Sequence, residues 1–216
     1  MDRFCNTFPA VRDADLMISE VAGMAWAVDL TPRIEYGEAY FEKCAGYDPV
    51  IAQAVTDSRI RFVARHWIGA VLDVGIGAGH FVQRRCNTFG WDINPAAVAW
   101  LREWGLYAER FDVFRAFTFW DVLEHVPAPQ TYLDRLAVGS MLFVSLPIFG
   151  SLWQIRESKH YRPGEHLYYF TQSGLVAWLA RYGFELLEVS DHETRAGRES
   201  ILAFAFARVR PCLGVQ

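Results

Sequence analysis

Through the middle of the chain, apolar residues bunch into short runs with sharp polar or glycine breaks. Val71, Leu72 and Val74 enclose a single acid, Asp73, and read as a buried parallel strand. Glycine then stands at every second position (Gly75, Gly77, Gly79), and Phe81 and Val82 open a helical pattern. Comparable runs predict strands near 70–75, 89–93, 106–109, 115–120 and 140–146, with helices near 79–87, 95–104 and 129–137 between them. Such alternation of strand and helix is the mark of an α/β fold with a parallel sheet. The link between the third and fourth of these strands, around Phe111–Arg115, is short.

Downstream, 149–170 reads as a polar and aromatic loop with a short helix. Residues 171–182 read as a helix capped by Thr171 and closed by Gly183. Phe184–Ser190 and Ile201–Arg208 read as an antiparallel closing pair joined by Asp191–Ser200, whose charged stretch at 193–199 is expected to be a solvated turn with an end that could approach the substrate mouth. Upstream, Asp13–Val28 reads as a helix, 34–41 as an aromatic-rich segment, and Pro49–Trp67 as an amphipathic helix. The expected organisation is a helical cap or lid over 1–68 and a ligand-binding domain over 69–216, forming one compact unit.

Composition narrows the picture. The chain has 216 residues, 52% of them hydrophobic, enough for one domain with a sizeable core. A net charge of −4 supplies no basic footprint for nucleic acid. No apolar run approaches the ~20 residues that span a bilayer, and the first residues lack the layout of a signal peptide. Cys5, Cys44, Cys86 and Cys212 are scattered, so neither a zinc site nor a disulfide framework is expected, and free thiols in a reducing cytoplasm are. Aromatic residues make up 15% of the chain, enough to line an apolar cleft as well as a core.

A strand that ends in alternating glycines before a helix lets backbone approach a ligand closely and aims free N–H groups at it. Two positions argue against a dinucleotide. His80 stands where the Rossmann fingerprint needs a small residue, and Asp73 would repel a pyrophosphate. An acid there suits a ligand carrying an ammonium group. Asp92 follows 19 residues after Asp73, at the end of the short apolar strand Phe89-Gly90-Trp91, with Pro95 placed to start a helix. An acid at that point binds ribose hydroxyls, with Ile93 and Asn94 flanking the base; alternatively it caps the next helix, with Asn94 as N-cap.

The D-x-G-x-G-x-G run at 73–79 resembles the first motif of the class I S-adenosylmethionine-dependent methyltransferases. Asp121-Val122-Leu123-Glu124-His125-Val126 resembles the D-x-L-E-H-V loop of their small-molecule branch, which includes the ubiquinone O-methyltransferases. The resemblance runs in order over 70–208. It implies a Rossmann-like, seven-stranded, mostly parallel sheet with an antiparallel last strand and helices on both faces. It also implies S-adenosylmethionine held by Asp73, the Gly75–Gly79 backbone, Asp92, Ile93 and Asp112, with Trp120 and Asp121 beside the methionine end.

The reaction implied is methyl transfer to an oxygen, less favourably to nitrogen or carbon, of a small-molecule, lipid-linked or glycan acceptor. His125 could serve as general base, near an ordinary pKa of ~6.5, or could bridge the loop together with Glu124. No metal ligand is assigned, although the resemblance to ubiquinone-pathway enzymes would allow Asp121, Glu124 and His125 a divalent ion. His166 and Tyr168 could reach over the acceptor, and Arg162 could pair an anionic substituent. Tyr36, Tyr40 and Phe41 form either a lid or, the preferred reading, core; His80, Trp91 and Trp100 go to packing or the surface. The loop after the fourth strand lacks the [N/D]-P-P-[Y/F] run of amino-methylating DNA enzymes, and Pro211-Cys212 lies too near the tail to serve as a cytosine-attacking pair. Two other readings stay open: a non-catalytic S-adenosylmethionine-binding protein and an NAD-dependent oxidoreductase.

Overall fold

A computed structural model describes residues 2–213. The chain opens with β1 (Val11–Asp13), β2 (Leu16–Ser19) and β3 (Met24–Ala27), followed by helices α1 (Glu38–Ala45) and α2 (Pro49–Ala64). The α/β region contains β4 (Val71–Val74), α3 (His80–Arg84), β5 (Thr88–Trp91), α4 (Pro95–Glu103), β6 (Ala116–Trp120), α5 (Gln130–Leu133) and β7 (Met141–Pro147). It closes with β8 (Tyr168–Phe170), α6 (Gln172–Arg181), β9 (Phe184–Ser190), α7 (His192–Arg195) and β10 (Ile201–Arg208).

The large sheet has six strands in the order β5-β4-β6-β7-β10-β9. β5, β4, β6 and β7 run parallel, and β10 lies antiparallel between β7 and β9. Where a seventh strand was expected, at 106–109, the chain makes a single parallel bridge from Tyr107 to Gly90. β4 and β6 are buried at every position, as strands covered on both faces must be. Alternate residues separate into two layers. Leu72, Phe117, Phe119, Leu142, Val144, Phe204 and Phe206 pack with Leu175, Trp178 and Leu179 of α6. Val71, Ala116, Phe143, Ala203 and Ala205 pack with Phe62 and Val63 of α2. Among the described residues no helix is long and apolar enough to cross a membrane.

The N-terminal segment departs most from expectation. Asp13–Val28 is a three-stranded meander rather than a helix, and β8 pairs with β3 to complete a four-stranded sheet in the order β1-β2-β3-β8. The reason lies in the breaks. Ala14 and Gly23 both adopt positive φ, and each reverses the chain after three or four residues, too soon for a helix to gain from propagation. The N-terminal segment is therefore part sheet and part helix, and it shares its sheet with a strand whose paired residues lie 142–146 positions downstream. α2 begins as its sequence requires: the Asp48 carboxylate accepts from Val50 and Ile51 N–H at 2.8 and 3.2 Å, and Pro49 occupies the first turn. α6 begins on Thr171, whose hydroxyl accepts from Gly174 N–H at 3.0 Å. Cys5 and Cys44 are buried free thiols, as expected; Cys86 is exposed.

Gly174, in α6, packs directly on the Gly23 turn that leads into β3. A Cβ there would stand 1.9 Å from the Gly23 carbonyl oxygen and 2.4 and 2.9 Å from its carbonyl carbon and Cα, all of them backbone. Gly174→Ala should lower stability by about 1–3 kcal/mol in denaturant unfolding. Gly46→Ala, whose new methyl would meet nothing closer than 3.5 Å, should stay within about 0.5 kcal/mol of wild type. Equal midpoints for the two variants would contradict this packing.

Candidate functional site

The carboxyl ends of β4, β5 and β6 open into one cavity of about 710 Å³, roofed by α1 and α2 and closed by the 159–166 and 197–201 segments. At its β4 end the glycines do two different jobs. Gly75 has φ +77°, and a Cβ on it would strike Val122 at 2.5 Å, so it allows close packing. Gly77, at φ +54°, has nothing within 4 Å of a built Cβ and lines the open cavity. Gly79 packs under Trp100 and does not reach the cavity wall.

Asp92 stands at the end of β5 on the cavity wall. Its Oδ2 accepts from Ile76 N–H and its Oδ1 from Asn94 N–H, both at 2.8 Å. Each oxygen retains a second acceptor site, which leaves room for a bidentate pair of hydroxyls. Burial raises its pKa against these two hydrogen bonds. Asn94, not Asp92, caps α4, accepting from Ala96 N–H at 3.0 Å. Ile93 lies exposed beside it on the same wall.

Asp73 is 1% exposed and accepts from the Thr118 hydroxyl at 2.5 Å. Burial drives its pKa up to about 7, with the Thr118 hydrogen bond and Arg59 opposing. Asp112 lies elsewhere. It is on the surface, paired to Arg110 at 2.5 Å, and does not line the cavity. The connection before β6 is too short to fold it back over the base.

At the end of β6 the structure brings together residues that the sequence left apart. Asp121, at φ +57°, accepts from both guanidinium nitrogens of Arg198 at 2.8 and 3.0 Å and from Arg59 at 3.1 Å. Glu193 is fully buried and binds the same two arginines, Arg59 at 2.8 and 2.9 Å and Arg198 at 2.5 Å. These cations hold the Asp121 carboxyl well below the usual range despite its burial. The expected solvated turn at 193–199 thus supplies half of a charge cluster built around buried Glu193. No sequence signal marked Arg59 or Glu193, because their partners lie 62 and 134 residues from Arg59 along the chain. The cation over the Trp120 ring is Arg59, 4.9 Å from the centroid, and Trp120 lines the cavity beside it.

Leu167 N–H donates to Glu124 O at 2.7 Å, which draws the loop before β8 against the 3₁₀ turn Leu123–His125. That contact sets the His125 and His166 rings edge to face at 4.7 Å, and both rings line the cavity. Burial lowers both pKa values, that of His166 to about 3, so both imidazoles are neutral at pH 7. Glu124 is 1% exposed, its carboxyl pKa is raised well above the ordinary value by burial, and neither side-chain oxygen has a hydrogen-bond partner.

Tyr36 and Tyr40 line the cavity, ring against ring at 4.9 Å, so they are wall rather than core. Phe41 packs inward on Trp100. His80, Trp91 and Tyr132 also reach the wall. Arg162 does so while paired to Glu165 at 3.2 Å. Tyr168 does not reach it: its hydroxyl is buried, donating to Pro127 O at 2.9 Å and accepting from Asp2 N–H at 3.0 Å.

Solved structures of known proteins share the fold. The chain is similar in fold to Burkholderia thailandensis 1,6-didemethyltoxoflavin-N1-methyltransferase, solved with 1,6-didemethyltoxoflavin and S-adenosylhomocysteine. That match has 17% identity and a TM-score of 0.55, covering 94% of this chain and all of that one. It is also similar to the magnesium protoporphyrin IX methyltransferase of Synechocystis PCC 6803, solved with S-adenosylhomocysteine (17% identity, TM-score 0.55, 79% and 93% covered). A third likeness is to the putative methyltransferase bound to the Haloferax volcanii Trm112 activator (11% identity, TM-score 0.59, 80% and 96% covered). No curated protein sequence matches the chain. The family model described as "Methyltransferase domain" matches residues 51–189, most of the chain. The chain belongs to the methyltransferase-domain family.

Proposed function

We propose that the cavity takes S-adenosylmethionine at its Asp92 end and a small-molecule acceptor at its His125–His166 end, and that the methyl group passes to an acceptor oxygen. The observation that carries this reading is the Asp92 carboxylate. It is fixed by two backbone N–H groups on the wall of a cavity that runs unbroken to both histidines. Gly77 leaves open space beside it, and Ile93 offers an apolar surface for a base. The D-x-L-E-H-V run supports the small-molecule branch. The Tyr36, Tyr40, Trp91 and Tyr132 rings on the wall suit a flat, aromatic or phenolic acceptor.

The sulfonium supplies an already activated methyl, so the chain's own task is alignment and acceptance of one proton. With donor and acceptor bound, the hydroxyl oxygen would take the methyl group as the sulfonium leaves as a thioether, and the hydroxyl proton would pass to the His125 imidazole. His125 is neutral there and faces the cavity, whereas His166, near pKa 3, is too weak a base at neutral pH. Asp73 lines the cavity at the β4 end, in place to meet the methionyl ammonium directly or through water. Buried and bonded to Thr118, it braces β4 against β6 beneath the glycine loop.

Purified protein incubated with S-adenosylmethionine and a panel of hydroxylated aromatics should release S-adenosylhomocysteine with at least one of them. His125→Ala should slow that release at saturating acceptor by about 10²-fold or more. Methylation confined to amines in the same panel would overturn the choice of oxygen. Asp92→Ala should weaken S-adenosylhomocysteine binding by about 2–3 kcal/mol, read by displacement titration. Unchanged affinity would place the ribose elsewhere.

Asp73 also predicts a pH dependence of definite sign. Its folded pKa of about 7 exceeds the unfolded value, ordinarily ~3.9. The stability it contributes is therefore complete at low pH and is lost as pH rises through 7. Asp73→Asn should gain on wild type by a few kcal/mol between about pH 4 and pH 8. A constant difference across that range would contradict a protonated Asp73.

A further inference from the structure

We infer that Glu165 is a positioning residue for His125, a role that rests on His125 receiving the acceptor proton. Its backbone oxygen fixes the ring, and its carboxylate faces the ring at the acceptor end of the cavity. The turn that carries it is tied on both sides. Arg162 O accepts from Glu165 N–H at 3.0 Å and from His166 N–H at 2.8 Å, with Gly164 at φ +79° between them. Gly164 O accepts from Arg33 N–H at 2.8 Å, which moors the turn to the segment before α1. Beyond it, Leu167 N–H is held by Glu124 O. Glu165 therefore stands against the Leu123–His125 turn, its side chain 15% exposed, on the same cavity wall as His125.

His125 donates a hydrogen bond to Glu165 O. Its Nδ1 is buried without a partner, so the donor is Nε2. A carbonyl oxygen only accepts, so in the neutral ring Nε2 carries the hydrogen and Nδ1 keeps the lone pair. Nδ1 is thus the nitrogen left to take a proton, and the backbone holds the ring in one tautomer and one orientation. The carboxylate does the second part of the work. A proton on His125 creates a cation in a buried place, and a nearby anion favours that form. Arg162 holds the carboxylate at 3.2 Å but is itself 46% exposed, so solvent screens the pair. The charge of Glu165 also reaches Tyr36 and Tyr40, which places it inside the acceptor end.

The charged and titratable groups that face His125 are Asp121 and Glu124 on its own loop and Arg162, Glu165 and His166 opposite. Burial lowers the His125 pKa. The charges of Glu165 and Asp121 and the hydrogen bond to Glu165 O oppose that fall, and Arg162 adds to it. The Asp121 oxygens are occupied by Arg59 and Arg198, and burial raises the pKa of Glu124. Glu165 is the anion left to answer a charge on the ring. Neutralising Glu165 and neutralising Arg162 must therefore move His125 in opposite directions, which a merely structural turn would not do.

Full-length protein with isotope-labelled histidine would be titrated by NMR, the His125 signals being those lost in His125→Gln. Wild type at neutral pH should carry the ring hydrogen on Nε2. The His125 midpoint should fall in Glu165→Gln, which keeps the backbone oxygen and the side-chain size, and rise in Arg162→Gln. A wild-type ring protonated on Nδ1 would overturn the assignment, as would midpoints that stay fixed or move the same way in both variants. If one variant does not fold, the other decides, because a midpoint that fails to move with its stated sign refutes the assignment alone. With a working acceptor, Glu165→Gln should slow S-adenosylhomocysteine release at saturation by about tenfold with donor affinity unchanged, and Glu165→Asp should recover part of the loss. Release at the wild-type rate in Glu165→Gln would also overturn the role. A wild type that methylates no acceptor would instead contradict the methyl-transfer reading, and the NMR midpoints, which need neither donor nor acceptor, tell the two failures apart.

Discussion

Four charges, Glu193 fully buried and Arg59, Asp121 and Arg198 half-buried around it, hold the functional end of this molecule together. Asp121 and Glu193 each bind both Arg59 and Arg198, so α2, the end of β6 and the segment leading into β10 meet at one electrostatic knot. A buried ion pair adds little net stability over an apolar contact, but removing one partner strands a charge at a cost of about 3–5 kcal/mol. The arrangement therefore acts as a geometric constraint. It keeps Asp121 in a left-handed backbone conformation that only a few residue types tolerate, and it turns the following loop towards the cavity. Asp121 N–H, donating to Ser145 O at 2.8 Å, ties that bend to β7.

From that bend the remaining geometry follows. The 3₁₀ turn presents His125 to the cavity and turns Glu124 inward, where its backbone oxygen receives Leu167 N–H. The next three residues are β8, which pairs with β3 and so ties the acceptor end of the cavity to the N-terminal meander. One path of contacts thus runs from the charge cluster past the histidine pair to the small sheet. The cavity is closed by these tertiary contacts rather than by a separate lid domain.

The parts legible in the sequence were those set by local pattern. The apolar run before the glycines, the Asp48–Pro49 and Asn94–Pro95 helix starts, the Thr171 cap and the closing strands at Phe184–Ser190 and Ile201–Arg208 all carry their cause within a few residues. The meander at 11–27 was misread because its apolar residues suit either period, and positive φ at Ala14, which decides the matter, leaves no mark in composition. Asp112 and Tyr168 were placed by resemblance, yet the short link before β6 and the Asp2 contact put both outside the cavity. Arg59, Glu193 and the convergence of His166 on Glu124 depend on contacts between distant segments, which spacing along one chain does not encode.

The central claim is that one cavity seats a nucleoside donor at Asp92 with its reactive end turned towards His125. A crystal structure of the protein with S-adenosylhomocysteine tests it most directly. Both ribose hydroxyls should lie on the Asp92 carboxylate, with the base against Ile93 and the sulfur facing the His125–Trp120 end. A nucleoside bound away from Asp92, or its sulfur turned from the histidines, would contradict it.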